Sequence, residues 1–483
     1  MTSFLIALAV LVGGYFIYGT LIDRLIGTDR NRPMPAYRLR DDVDYLPMPT
    51  WKVFLIQFLN IAGLGPIFGA IMGVMFGQAA FLWIVLGTIF AGAVHDFLSG
   101  VISIRMGGAS LPEIVGHELG DGVKQVMRGF SVLLLLLVGA VFVLTPADIL
   151  AGLTPDTLDR TVWIAVILGY YILATLLPID KLIGNIYPLF GVALLFMAVG
   201  LLGCLLFGDF GIPIDFSAGF DNRMPDTEHH PVFPMMFVSI ACGAISGFHA
   251  TQSPMMARCL KNEKLARPIF YGAMVTEGIV ALIWAAAAIA FAGGYEQLTA
   301  YMASHGNSAG ALVSEISFSW LGTAGGILAL LGVVAAPIST GDTAMRSARL
   351  IVADFMKLSQ HTIWKRLLIS LPLFAAVFAL MMIDFNVLWR YFAWSNQTLA
   401  VFTLWAVTVY MARHRKAYIV SLLPAVFMTA VSVSYLLFAR RPEGFGLDLT
   451  IATCAGVAVA TVFALMFARY VRRLSHDTTS EPA

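Results

Sequence analysis

His95, Asp96, Glu277 and Arg390 stand inside stretches otherwise apolar enough to cross a bilayer. An ionisable side chain at that depth is costly, and it is retained where it faces a partner, a polar cavity or an ion pathway. Glu277 precedes Gly-Ile-Val-Ala-Leu-Ile-Trp and so lies well inside its span. For Arg390, pairing with Asp384 or Asp96 and binding an anionic substrate both remain open. His249 joins this group: an imidazole titrates near physiological pH, so it suits a proton relay, a substrate contact or a hydrogen bond to a neighbouring helix. Asp96, His249 and Glu277 are the proton candidates. A second chemistry is offered by Ala336, Ser339 and Thr340, which share one helical face at i, i+3 and i+4. A carbonyl and two hydroxyls there make an oxygen cage suited to a hard cation such as Na+. Asp342 follows closely, either as a further ion ligand or as the i,i+4 partner of Arg346 at a helix end.

These groups need elements that expose backbone and side-chain donors at mid-depth. Two glycine-broken apolar stretches do so: Asn60-Ile-Ala-Gly-Leu-Gly-Pro-Ile-Phe-Gly69 and Cys242-Gly-Ala-Ile-Ser-Gly-Phe-His-Ala-Thr-Gln-Ser-Pro254. A helix broken in hydrocarbon leaves N–H and C=O groups unpaired, and it is tolerated only where it is buried in protein or lines a polar cavity. Paired breaks in the two halves of a chain point to a transporter's substrate site. In the first break, Asn60, Gly63, Gly65 and Gly69 mark the residues around which a carboxylate meets the N-terminal pole of a half-helix starting near Pro66. In the second, Ser246, Gly247, His249, Thr251 and Gln252 supply donors. Asn396 and Arg390, on a later span, complete the expected substrate set.

The 483 residues are 59% hydrophobic and 12% charged, about half the charge of a soluble domain. That composition predicts an all-α polytopic membrane protein whose partners are the lipid bilayer and a small molecule. A net charge of +1 gives no reason to expect nucleic acid. Cys204, Cys242, Cys259 and Cys454 lie in or beside apolar spans without CxxC or CxxH spacing, so neither a disulfide framework nor a structural zinc motif is expected. No organic cofactor is expected, only a proton or Na+ as coupling ion. There is no P-loop, His-Glu-x-x-His or Gly-x-Ser-x-Gly, so an enzyme is not expected; a channel fits paired breaks less well than alternating access does.

Counting about 20 apolar residues per crossing predicts thirteen spans, near 2–22, 51–76, 79–103, 129–146, 161–178, 184–207, 232–257, 267–293, 320–340, 364–383, 385–411, 417–438 and 448–470. Residues 2–22 read as a retained span rather than a cleaved leader. With the N-terminus outside and the C-terminus in the cytoplasm, 25 of the 30 Lys and Arg fall in inner segments and four in outer ones, as the positive-inside rule requires. The breaks fall in spans two and seven. Residues 51–207 and 232–411 are then two five-helix units, the second inverted, in a LeuT-like five-plus-five arrangement. Residues 1–50 add an N-terminal span and loop; residues 412–483 add two peripheral spans and a short tail. The long outer loop 208–231 reads as a solvated lid, and 294–319 as short helices dipping toward the centre.

Six ordered segments resemble the carbon-starvation protein A (CstA) family: Asn60 to Gly69, Gly92-Ala-Val-His-Asp96-Phe, Arg105-Met-Gly-Gly-Ala-Ser110-Leu-Pro-Glu113, Ser246-Gly-Phe-His-Ala-Thr-Gln-Ser253-Pro, Ser339-Thr-Gly-Asp342-Thr-Ala-Met-Arg346 and Trp389-Arg-Tyr-Phe-Ala-Trp394-Ser-Asn396-Gln397. The resemblance implies a secondary transporter of the bacterial cytoplasmic (inner) membrane, used in carbon starvation for peptides or, in some members, for pyruvate with protons. It also implies membership of the amino-acid–polyamine–organocation superfamily. The chain is shorter than the enterobacterial members. The expectation is proton-coupled uptake of pyruvate or a peptide; the alternatives are a sodium-coupled peptide or amino-acid permease and a nutrient sensor without net flux.

Overall fold

The computed structural model describes residues 1–477 apart from 43, 177–178, 209, 212–213, 359 and 361, and no strand occurs among them. The helices are α1 (Thr2–Ile26), α2 (Thr50–Ile61), α3 (Gly65–Val74), α4 (Ala79–Arg105), α5 (Leu111–Leu119), α6 (Asp121–Leu153), α7 (Arg160–Leu176), α8 (Ile179–Phe207), α9 (232–239), α10 (His249–Ala257), α11 (Glu263–Ala292), α12 (Tyr295–Ser304), α13 (Ala309–Met356), α14 (Ile363–Leu380), α15 (Phe385–Arg413), α16 (Ile419–Phe438) and α17 (Leu449–Asp477). Nine of the described helices are long and apolar enough to cross a membrane, or ten if the bent pair α2 and α3 is one span. The other expected crossings take different forms: α7 is shorter, 232–257 is interrupted, and the 29-residue α15 carries more polar residues.

Both breaks have local causes. α2 stops at Ile61, and the chain resumes at Gly65 bent by 53°. Pro66 has no N–H to continue the ladder, and its ring opposes the preceding turn. The second interruption occupies 240–248, with Gly243 at φ +88°, a left-handed conformation that a side chain disfavours. It ends at His249, so Thr251 and Gln252, expected within the break, lie in the first turns of α10.

The two interruptions are packed against each other. A Cβ on Gly65 would fall 2.0 Å from Cys242 Cβ, and one on Gly243 would lie 2.7 Å from Ala281 Cβ and 3.4 Å from Pro66 Cα. Glycine thus permits two backbones to meet in the bundle centre, the usual means of close approach in a membrane protein. Around them α13 packs along α6 and α8, α10 lies against α4, α15 packs on α6, α5 and α4, and α16 and α17 lie outside it.

α13 corrects one expectation. It bends at Gly322 (φ 66°, ψ −178°) and then runs on to Met356. Ser339, Thr340 and Asp342 therefore project from mid-helix rather than from a helix end. The expected short helices are present as α12 and the part of α13 before Gly322.

Candidate functional site

Two polar clusters lie beside the breaks. In the first, α4 supplies His95 and Asp96, α10 supplies His249 and α11 supplies Glu277, all at 0% exposure. Asp96 Oδ1 lies 2.7 Å from His95 Nδ1, and Asp96 Oδ2 lies 2.8 Å from His249 Nδ1. His249 Nε2 approaches Glu277 Oε2 to 3.4 Å, while Glu277 Oε1 accepts from the Gly243 N–H at 3.0 Å. Three residues far apart in sequence therefore form one chain, carboxylate–imidazole–carboxylate, that ends on the backbone of the second break. Thr88, whose hydroxyl donates to the Gly243 carbonyl at 2.8 Å, holds the next peptide of the break. Nothing in the sequence singled out Thr88, a β-branched residue in an apolar run.

Ser246 and Asn396 also come together. Asn396 Oδ1 accepts from the Ser246 hydroxyl (3.0 Å) and the Phe248 N–H (2.7 Å), and its carbonyl accepts from the Gly247 N–H (3.2 Å). These donors, expected to meet substrate, are committed here to satisfying the broken backbone. Buried polar atoms without a hydrogen-bond partner lie instead on Gln57 (both side-chain atoms), Asn60 Nδ2 and Gln252 Oε1. Buried polar atoms are ordinarily paired, and these lie beside the two breaks. Gln57, one turn before Asn60 on α2, went unremarked in the sequence because a lone glutamine within an apolar helix has no distinctive pattern.

The second cluster is on α13. The Ala336 carbonyl accepts from both the Ser339 and Thr340 hydroxyls at 2.8 Å, and Thr340 Oγ1 lies 3.2 Å from the Leu59 carbonyl in the last turn of α2. Gly63 allows this approach, since a Cβ there would sit 3.3 Å from Thr340 Oγ1. Thr340 Oγ1 thus links the Ala336 carbonyl on α13 to a carbonyl of the broken helix, that of Leu59. Thr343 adds a contact of 3.4 Å to Asn60 Oδ1. Asp342 points elsewhere: its Oδ2 accepts from the Tyr187 hydroxyl on α8, and the neighbouring Tyr171 hydroxyl bonds the Phe142 and Pro337 carbonyls. Two tyrosines in apolar spans, not singled out in the sequence, hold this region together.

Arg390 has a partner that the sequence did not offer. Its Nε pairs with Glu443 Oε1 at 2.5 Å, with its side chain 42% exposed, and it reaches neither Asp96 nor the breaks. Glu443 lies in the turn after α16, a pairing invisible in local sequence. Arg390 instead lines a cavity of about 530 Å³ with Met72, Ser239, Asp384, Trp389 and Asp226. At the rim, the His229 backbone N–H and then its side chain hold the Asp226 carboxyl below its ordinary value. This cavity reaches down to α3 and α9, next to the breaks. At the opposite end Thr251, Met255, Arg258, Ser347 and Asp354 enclose only about 20 Å³, and Arg258 stacks on Tyr45 at 4.9 Å. Met72, Val238 and Ser239 of the wide cavity adjoin the breaks on the side of Asp226 and His230, and the small pocket lies on the side of Arg258 and Asp354.

Membrane-length helices around a buried polar cluster at interrupted backbone define an integral membrane protein of the transporter class. The crystal structure of an Eremococcus coleocola manganese transporter superposes with a TM-score of 0.52 at 12% identity, covering 90% of this chain and 99% of that one; the likeness is one of fold. Residues 1–157 and 153–324 match the family described as carbon starvation protein CstA, and the chain belongs to that family. An uncharacterized membrane protein of Haemophilus influenzae is 45% identical over 338 residues, 60% of this chain and 91% of that protein. A peptide transporter CstA of Campylobacter jejuni is 30% identical over 57% of this chain and 48% of its own length, and the pyruvate/proton symporter BtsT of Escherichia coli is 28% identical over 57% and 47%. The matched stretch thus spans about half the length of these named transporters, which are carriers and not enzymes.

Proposed function

We propose that this chain is a secondary active transporter that takes up a small carboxylate-bearing nutrient, pyruvate or a peptide, during carbon starvation, coupled to protons. The observation that carries the reading is the fully buried Asp96–His249–Glu277 chain seated on the Gly243 peptide. An ionisable cluster at that depth, tied to broken backbone by the Gly243 N–H, allows a protonation change to alter the packing of the break. A coupling ion shifts a conformational equilibrium only by binding one state better than the other. The cluster touches the element that must differ between states.

In this reading there are thirteen spans, N-terminus outside and C-terminus inside, and 51–207 and 232–411 are inverted five-helix units flanked by 1–50 and 412–483. The substrate lies between the breaks, near Asn60, Gly63, Gly65, Gly69, Gly247, Thr251 and Gln252. Ser246 and Asn396 brace the second break, and Arg390 with Glu443 guards the entrance. Substrate enters through the wide cavity, and release requires the Tyr45–Arg258 side to open.

The test is uptake of radiolabelled pyruvate into proteoliposomes under an inward proton gradient, with unlabelled di- and tripeptides as competitors. Accumulation that a protonophore abolishes and peptides do not affect identifies a proton-coupled monocarboxylate carrier; peptide competition moves the substrate to peptides. Saturable binding without accumulation of either solute under any gradient would reject a transporter and leave a sensor.

The Ala336–Ser339–Thr340 cluster, closed by Leu59 O, favours a second reading in which Na+ takes part. Replacing Ser339 and Thr340 together by Ala removes two of the four oxygens, and any sodium stimulation is expected to fall at least tenfold. A tenfold loss of affinity corresponds to about 1.4 kcal/mol. Sodium stimulation that survives in the double variant eliminates this site.

A further inference from the structure

Three different donor types converge at the second break. Cys242 from the interrupted segment, His249 at the start of α10 and Glu277 of α11 are buried, and one ligand atom from each lies within 4.8 Å of the other two. His249 Nε2 and Glu277 Oε2 approach to 3.4 Å, yet neither has a hydrogen-bond partner. Two ligands bound at about 2.0–2.1 Å to a tetrahedral ion stand about 3.4 Å apart, so this pair already has the bite of a metal site.

The surroundings aim these atoms. Asp96 holds His249 Nδ1 at 2.8 Å, which leaves Nε2 facing Glu277. The Gly243 N–H holds Glu277 Oε1 at 3.0 Å, which leaves Oε2 free. Asn396 Nδ2 lies 3.4 Å from Cys242 Sγ, a donor suited to a thiolate. Carboxylate-oriented imidazole and hydrogen-bonded ligands are how proteins fix metal-binding groups. The cysteine spacing excludes a contiguous zinc motif; here the donors come from three separate segments, which only the fold brings together.

We propose that Cys242, His249 and Glu277 form a binding site for a divalent transition-metal ion of the zinc class. The sulfur–nitrogen–oxygen set discriminates against Mg2+ and Ca2+, which take oxygen ligands, and three protein ligands leave a fourth position for water or another small ligand. On binding, the Cys242 thiol releases its proton to solvent and coordinates as thiolate. The ion enters by the wide cavity, whose floor at Val238 and Ser239 immediately precedes the Cys242 segment. The inference goes beyond the transport reading and rests on the placement of these three donors alone.

The test uses the purified full-length protein in detergent, titrated first with Co2+ as a spectroscopic probe and then with Zn2+. The expected result is one Co2+ per chain with a thiolate-to-metal charge-transfer band in the near ultraviolet, displaced by Zn2+. Cys242→Ser is expected to abolish the band and weaken Zn2+ binding at least tenfold, while Cys259→Ser, a buried cysteine outside the cluster, leaves both unchanged. Absence of the band and of saturable Zn2+ binding in the wild-type protein overturns the proposal, as does a band that survives Cys242→Ser. The wild-type titration decides alone if the variant does not purify. No substrate enters these measurements, so their failure is distinct from failure of the uptake experiment.

Discussion

Glu277→Gln is expected to abolish proton-driven accumulation while leaving the protein folded. The amide keeps the side chain's shape and retains an oxygen to accept from the Gly243 N–H, now made at 3.0 Å. What it loses is the ability to exchange a proton beside His249 Nε2. If one proton moves with each substrate, an inward gradient of one pH unit supports about tenfold accumulation, equivalent to about 1.4 kcal/mol. The variant is expected to equilibrate substrate to a ratio of about 1 and to exchange labelled for unlabelled substrate across liposomes at a rate indifferent to pH. Monodisperse elution in detergent checks the fold. Unchanged pH-driven accumulation would remove Glu277 from coupling and leave it a structural acceptor for the second break.

Gly247→Ala is expected to be among the most damaging single-methyl additions in the chain. A Cβ at Gly247 would lie 2.3 Å from the Ala400 nitrogen and 2.4 Å from the Asn396 carbonyl oxygen, both backbone atoms of α15. A flexible side chain could swing aside; a buried helix backbone cannot. Accommodation must move the break away from α15, breaking the Gly247 N–H to Asn396 O bond and the two bonds to Asn396 Oδ1. Overpacking typically costs 1–3 kcal/mol, and each orphaned buried donor about 1–3 more. A loss of about 3 kcal/mol or greater follows, seen as a lowered thermal midpoint in detergent and loss of uptake. Gly203→Ala, where no atom lies within 4 Å of the added methyl, is the control and should match wild type. Wild-type stability and uptake in Gly247→Ala would mean that the break and α15 are not in this close contact.

These two substitutions probe different properties of one site. Glu277 tests what the cluster exchanges, and Gly247 tests whether the broken backbone is held by α15. Ser246 and Asn396 serve the broken backbone, a use that residue type alone does not reveal.

Much was legible in the chain itself. Long apolar runs must become helices in a bilayer because every backbone polar group there needs an internal partner, and glycine with Pro66 must interrupt one of them because the ladder cannot continue through that segment. The rarity of charge at depth marked Asp96, His249 and Glu277 before any distance was known. Tertiary structure decided what those residues touch. It joined Asp96 to Glu277 through His249, though they lie on three separate helices. It turned Arg390 to Glu443 and Asp342 to Tyr187, and it carried α13 past the point where its span was expected to end. It also set Cys242 beside an imidazole and a carboxylate. The physical reason is range: hydropathy and helix breaking act over one turn to one span, whereas ion pairs and ligand clusters depend on which helix faces pack together, and that is determined by the whole bundle at once.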